Sequence, residues 1–264
     1  ARRGQSKYRG LPRSCGRPLF RRERTDLDER FLRTEMLLGR QAMERLAASH
    51  VAVLGLGGVG SWCAEALARS GVGTLTLADH DEVGLTNLNR QAQALVSTLG
   101  QPKALAMARR VKDIAPDCQV IARVEKYQAE SREAFFSARY DYVVDCIDLV
   151  SCKLDLIETA LGRGVPILSA LGTGNKLDPT QFRIGDISKT EGCPLARVIR
   201  KELRARGILH HRVLWSPEAP RQPEQREAPP PGRRSVPGSV AWVPSVAGLM
   251  LAGDVVLALA GVRN

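Results

Sequence analysis

Residues 51–91, VAVLGLGGVGSWCAEALARSGVGTLTLADHDEVGLTNLNRQ, constrain the fold of this chain more than any other stretch. They open on an unbroken apolar run, 51–54, the pattern of a parallel strand buried on both faces. Gly55, Gly57 and Gly60 follow with the spacing G-x-G-x-x-G, and Gly58 adds a fourth glycine. The first permits a tight turn and the second lets backbone approach a phosphate. The third lets the next helix pack closely on the strand, its N-terminal amides facing an anion. That helix is expected over 59–69, with Ala64, Leu67 and Ala68 on its apolar side and Gly71 and Gly73 ending it. A second strand over 74–78 leads to Asp79, nineteen residues beyond Gly60, where a carboxylate takes ribose hydroxyls. A glycine trio alone is a weak signal. With a strand–helix–strand setting and an acid at this distance, it marks a nucleotide site.

The end of the stretch, Asp79-x-Asp81-x-Val83-x-x-Thr86-Asn87-x-Asn89-Arg90-Gln91, separates the nucleotides. A redox dinucleotide fold has no need of a cationic, amide-rich block just past the ribose acid. A triphosphate that is held and split does need one, because charge develops on its oxygens in the transition state. With the glycine loop, this block resembles the ubiquitin-activating-like superfamily of ATP-dependent carboxylate adenylators, the ThiF/MoeB type. The resemblance implies ATP as cofactor and a homodimer, with the nucleotide site drawn from Gly55, Gly57, Gly58, Gly60, Asp79, Asn87, Arg90 and Lys103. It also implies an arginine, on a short helix before the first strand, that reaches the partner's ATP site. Arg33 aligns best with that role and Arg30 second; the plainer reading is a solvated arginine on a surface helix.

Residues 26–48 read as helix, a turn at Gly39, then helix. Gly100-Gln101-Pro102-Lys103 starts a helix that runs to Ile114. A lysine in the first helical turn opposes the helix dipole, so Lys103 points to a functional ammonium aimed at phosphate oxygens. A strand over 119–124, a helix over 131–138 and a strand over 140–147 continue the alternation. The last ends in Asp145-x-x-Asp148, where carboxylates face the ligand crevice of doubly wound sheets. Asp148 matches the superfamily's Mg²⁺ carboxylate, and one carboxylate with substrate phosphates suits that ion. It is equally placed to cap a helix starting near Val150. A strand over 165–169, a glycine loop at 172–175 and some strand within 176–187 follow. The fold class is α/β: one domain over 26–264 with a doubly wound, mainly parallel Rossmann-like sheet and an ATP-binding glycine loop.

Three later stretches narrow the resemblance: Arg33-Thr34-Glu35, 174–179, and Asp186-Ile187-x-Lys189-Thr190-x-x-Cys193-Pro194-Leu195-Ala196-Arg197. Together they resemble the tRNA threonylcarbamoyladenosine dehydratase branch. After Pro194, Leu195, Val198, Ile199 and Leu203 make an apolar helical stripe. Arg197, Arg200, Lys201 and Arg204 make a basic face beside it, extended by Arg206, Arg212 and two histidines. Such a face is either solvated or in contact with tRNA phosphates. Cys193, in front of this helix, is placed as an acyl acceptor is in some members of the superfamily, but no base lies near it in sequence and its role stays open. Residues 216–239 are dense in proline and read as a flexible loop within the domain. A strand over 240–243 and a buried helix over 246–259 close the pattern.

Charge is unevenly spread. The chain carries +11 in all, of which residues 1–24 supply +8 through eight arginines and one lysine against one glutamate. Residues 1–25 read as a disordered basic extension without a secretory h-region, either an RNA-touching arm or an extension without function. No apolar run is expected to reach the length of a membrane span. Six cysteines without a C-x-x-C pair argue against a four-cysteine zinc site and suit a reducing cytoplasm. The branch implies ATP-dependent cyclisation of threonylcarbamoyladenosine in tRNA through carboxylate adenylation, with a sulfur-relay protein as a further partner. Two other readings stay open: activation of a ubiquitin-like sulfur carrier, and a nicotinamide-dependent or non-catalytic nucleotide-binding module.

Overall fold

The apolar run before the glycine loop becomes a central strand of a seven-stranded sheet. The computed structural model describes residues 29–224 and 236–262. Along the chain these form α1 (Leu32–Leu38), α2 (Arg40–Ala48), β1 (His50–Leu54), α3 (Gly60–Arg69), β2 (Thr74–Ala78) and α4 (Lys103–Ile114). Then come β3 (Gln119–Arg123), α5 (Arg132–Phe135), β4 (Tyr142–Asp145), α6 (Val150–Gly162) and β5 (Ile167–Ala170). β6 (Arg183–Asp186), α7 (Pro194–Ala205), β7 (Arg212–Trp215) and α8 (Trp242–Ala260) complete the order.

The strand order is β3-β2-β1-β4-β5-β7-β6, and every neighbouring pair is parallel except β6 with β7. The direction of winding reverses between β1 and β4, which opens a crevice at their carboxyl ends. Leu54 pairs with both Ala78 and Asp145, so the acidic residues that follow β2 and β4 emerge at one edge.

Alternate strand residues feed two cores. Val51, Val53, Leu75, Leu77 and Val144 pack with α2, α3, α4 and α8, whereas Ala52, Leu54, Ala78 and Val143 pack with α6 and α7. This is why these strands read as continuous apolar runs rather than alternating ones. Burying a leucine or valine here contributes about 1.5–3 kcal/mol. Gly60 is required by packing: a Cβ there would lie 1.8 Å from the Gly55 carbonyl oxygen.

Several expectations are corrected. The strand expected over 240–243 is absent; Trp242 and Val243 already belong to α8, with Pro244 in its first turn, where a missing N–H is tolerated. β7 was not foreseen, because its charged first residue and two preceding histidines read as a basic run. Val213 and Leu214 are fully buried, and Arg212 is paired to Asp254 (2.6 and 2.9 Å). α5 is a single turn rather than a helix over 131–138. Contrary to expectation, α8 is long and apolar enough to cross a membrane by length and composition. It packs along α3 and α2, with Val243, Ala247, Leu251 and Val255 sealed, and reads as a core helix. The basic extension 1–25 lies outside the described residues, as do 225–235 of the proline-rich loop. The described ends of that loop are pinned: the Glu218 carboxylate accepts from Leu177 N and Asp178 N (2.9 and 3.2 Å).

Candidate active site

A cavity of about 750 Å³ opens at the carboxyl ends of β1, β2, β4 and β5. Gly55, Gly57, Gly58, Asp79, Asn87, Arg90, Lys103 and Asp148, scattered over 94 positions of sequence, all line it. Gly55 holds φ 85°, and a Cβ on it would meet the Cys146 carbonyl at 2.6 Å, so the turn brings the loop hard against the end of β4. Gly60 is not on the cavity wall; it sets the closeness of α3 to the loop.

Asp79 is buried, and its two oxygens accept from Leu56 N (2.6 Å) and Asp81 N (2.8 Å). Each oxygen keeps a further lone pair, as a ribose hydroxyl requires. Asn87 Oδ1 accepts from Gly84 N (3.0 Å), leaving the NH₂ end to donate. Trp62 Nε1 donates to the Arg90 carbonyl (2.9 Å), fixing that backbone against α3. The Arg90 guanidinium donates to the Thr86 carbonyl (2.8 Å) and Asn89 Oδ1 (2.9 Å). Burial lowers its pKa below the usual arginine value, the mark of a cation drawn partly out of water.

Lys103 is the first residue of α4 and is buried, with Nζ 2.8 Å from Asp81 Oδ2. Asp81 thus offsets the unfavourable helix dipole that singled this lysine out. Asp148 is exposed within the cavity, and the residue in the cap position of α6 is Leu149. Asp145 is sealed: its Oδ2 lies 2.6 Å from Lys153 Nζ and its Oδ1 accepts from Ile147 N (3.0 Å). Asp79, His80 and Asp81 also have donor atoms within 4.8 Å of one another, but backbone amides and Lys103 already engage the two carboxylates.

The second half of the cavity is lined by the loop 171–175, Leu195 and 237–239. Beneath it lie groups that the sequence reading missed. Lys153 is fully buried and also donates to the Ala170 carbonyl (3.0 Å). His211 Nε2 meets Ser169 Oγ at 2.8 Å, and Nδ1 has no partner among the described residues. Burial, with the Lys153 charge adding to it, pushes the His211 pKa down to about 3. The signal for Lys153 was a lysine between Cys152 and Leu154, eight residues after a strand-end aspartate.

Other candidate residues fall elsewhere. Arg33 is exposed on α1 and does not line the cavity of its own chain; Arg30 pairs with Asp117 (2.7 Å). Cys193 is buried as the cap of α7, its Sγ accepting from Ala196 N (3.5 Å). On α7, Arg197, Lys201 and Arg204 are exposed, but Arg200 turns inward to Thr190 Oγ1 and its carbonyl (2.6 Å each). The apolar stripe is corrected as well: Ala196, Ile199 and Leu203 are buried and Val198 is 46% exposed. Arg206 pairs with Glu158 and Glu202, and His210 with Asp186, so they do not extend a free basic run.

The ThiF family model matches residues 31–264. The chain belongs to the ThiF family. This ThiF-family chain is 46% identical over 238 residues to a tRNA threonylcarbamoyladenosine dehydratase of Bacillus subtilis, covering 87% of this chain and 94% of the relative. Its fold superposes on the E. coli tRNA N6-threonylcarbamoyladenosine dehydratase TcdA in complex with ATP, with a TM-score of 0.78 and 34% identity over 89% of this chain and 97% of that one. Similarity to the E. coli sulfur carrier protein ThiS adenylyltransferase is narrower, 35% over 136 residues, or 51% of this chain and 54% of the relative. The expected fold and superfamily are therefore both found.

Proposed function

We propose that this chain dehydrates threonylcarbamoyladenosine in tRNA at the expense of ATP. The observation that carries the reading is the 46% identity to the B. subtilis dehydratase along nearly the whole length of both chains. The cavity chemistry supports it. The threonylcarbamoyl carboxylate attacks the ATP α-phosphate, giving an acyl-adenylate and pyrophosphate. The side chain's own carbamoyl group then attacks the activated carbonyl, closes a ring and expels AMP. Ring closure needs no cysteine nucleophile, since tethered, well-oriented groups reach effective molarities of about 10⁵ M or more. That suits Cys193, which is spent on capping α7.

In this reading Asp79 takes the ribose hydroxyls, the Gly55–Gly58 turn borders the phosphates, and Asn87, Arg90 and Lys103 neutralise them. Asp81 holds Lys103 until phosphate replaces it. Asp148 would hold Mg²⁺: it is an oxygen donor exposed in the cavity, which fits the ion's chemistry. When bound, Mg²⁺ neutralises charge on the phosphate oxygens. The acceptor nucleoside takes the second half of the cavity, and the exposed Arg197, Lys201 and Arg204 contact tRNA phosphates.

The chain works as a homodimer in the cytoplasm, with Arg33 reaching the partner's site and a sulfur-relay protein as a further associate. Mixing Arg33→Ala with Lys103→Ala protein restores activity if the arginine acts in trans, because a mixed dimer keeps one complete site. No recovery in demonstrably mixed dimers returns Arg33 to the surface. Activation of a sulfur carrier is the weaker reading, since no C-x-x-C pair is present and that relative matches over about half its length. The deciding experiment incubates threonylcarbamoyl-modified tRNA with protein and ATP and weighs the released nucleosides. Loss of the mass of one water supports dehydration; unchanged nucleosides with pyrophosphate released on a sulfur carrier would overturn it.

A further inference from the structure

Asn89 belongs to the amide-rich block after Asp79, yet the roles above leave it unused. Its side chain bridges two walls of the cavity. Oδ1 accepts from Arg90 Nη1 (2.9 Å), and Nδ2 donates to the Ser239 carbonyl (3.0 Å). These partners fix the amide's orientation. A flipped amide would set NH₂ against the guanidinium and oxygen against a carbonyl. Ser239 ends a short strap, 237–239, whose residues line the cavity. Asn175 anchors the strap from the acceptor side. Its N donates to the Gly238 carbonyl (2.8 Å), and its Oδ1 accepts from Gly238 N (2.6 Å). Its own carbonyl accepts from Arg221 N (2.8 Å). Among the described residues Asn175 is the one non-glycine residue with positive φ, at 61°. Asparagine takes this backbone more readily than other side chains, and its Oδ1 contact to Gly238 N anchors it there. Contacts thus run unbroken from the acceptor-side loop, through the strap and Asn89, to Arg90.

We propose that Asn89 is a positioning residue that couples the acceptor-side strap to the Arg90 guanidinium and so sets the grip on the nucleotide phosphates. This rests on the reading of Arg90 as a phosphate ligand. Nη1 spends its hydrogens on the Thr86 carbonyl and Asn89 Oδ1. Nη2 and Nε remain to receive phosphate oxygens, with the planar fork oriented before ATP arrives. A fork held in advance loses less side-chain freedom on binding. Since the strap holds Asn89, loosening the strap frees the arginine, and an acceptor steadying the strap tightens it.

The test measures steady-state tRNA dehydration with ATP varied, in Asn89→Ala, Asn89→Gln, Asn175→Gly and Arg90→Ala and their doubles. Glycine accepts the 61° φ without strain, so Asn175→Gly cuts the Oδ1 contact alone. Asn89→Ala and Asn175→Gly are each expected to raise the KM for ATP about fivefold, with a smaller change in kcat. Asn89→Gln keeps both amide functions and recovers most of the loss. The Asn89→Ala/Asn175→Gly double is no worse than either single, whereas independent effects would multiply to roughly 25-fold. In an Arg90→Ala background, Asn89→Ala adds nothing. Multiplying effects, or a normal KM for ATP in Asn175→Gly beside a raised one in Arg90→Ala, overturn the coupling alone. A normal KM for ATP in Arg90→Ala overturns the coupling, and a normal kcat beside it overturns the phosphate-ligand reading as well.

Discussion

Two lysine–aspartate pairs stand at the carboxyl edge of the sheet. Each joins an aspartate at or just past the end of a strand that flanks β1 to a lysine on a helix, and they differ in one respect. Lys103 lies 2.8 Å from Asp81 and Lys153 lies 2.6 Å from Asp145. The Asp81 side chain is 52% exposed, whereas both members of the second pair are fully buried. An ion pair open to water on one side contributes little net stability, so its lysine exchanges a carboxylate for a phosphate at small cost. A sealed pair cannot exchange, because either charge left alone in the interior is strongly disfavoured. On the proposed reading, the same two residue types serve ligand binding at one place and scaffold integrity 50 positions later, and burial separates them.

The comparison breaks most visibly at Lys153. Lys153→Met leaves the Asp145 carboxylate sealed without its cation and is expected to lower unfolding free energy by about 3–5 kcal/mol. Denaturant unfolding reads this directly, and Asp145→Leu added to Lys153→Met should recover much of it. A near-neutral single variant would show that the sealed pair is no scaffold. At the open pair the expected balance is reversed. Lys103→Ala, like Arg90→Ala, should lower the dehydration rate about a hundredfold or more, equivalent to about 3 kcal/mol in the transition state, while the unfolding midpoint hardly moves. An equal loss of stability in Lys103→Ala would erase the distinction.

His211 sharpens the contrast through pH. Its folded pKa of about 3 lies below the ordinary histidine value of about 6.5, so between these values the unfolded chain binds a proton that the folded chain refuses. Stability from this group is complete above about pH 6.5 and falls as pH drops toward 3, by up to about 1.4 kcal/mol per pH unit. His211→Gln should flatten that part of the stability profile, read by urea unfolding between pH 4.5 and 7. An unchanged slope would mean that the cluster beneath the second half of the cavity is wet.

The smallest effect concerns the two basic elements. Reversing Arg197, Lys201 and Arg204 to Glu should weaken tRNA binding and lower its log–log salt slope by about 0.7–0.9 for each lost phosphate contact. Deleting residues 1–24 should change affinity only modestly and leave the rate at saturating tRNA unaltered. If the deletion abolishes binding and the triple variant binds normally, the RNA-contacting element is the N-terminal extension.

Much of the candidate site was legible because local geometry and ligand chemistry are written in short motifs. Gly55, Gly57 and Gly58 were readable from spacing, Asp79 from its distance to Gly60, and Lys103 from its awkward place at a helix start. Asn89 was visible as part of a block but not as a bridge, since Ser239 is 150 positions away. Arg200 and Arg197 looked alike on a helical wheel; only packing against Thr190 told them apart. β7 was hidden because Arg212 reads as surface until Asp254 of α8 is brought beside it.

By itself the sequence determined the α/β class, the glycine turn and the run of buried parallel strands around it. Backbone freedom, side-chain periodicity and strand-end chemistry act over a few residues, and such information survives in a linear reading. Tertiary structure alone decided which charges are sealed and which face the cavity, where the strap meets Asn89, and which arginines of α7 are exposed. Those properties depend on the dielectric surroundings and partners of each group, and distant segments supply both only once the sheet has been wound.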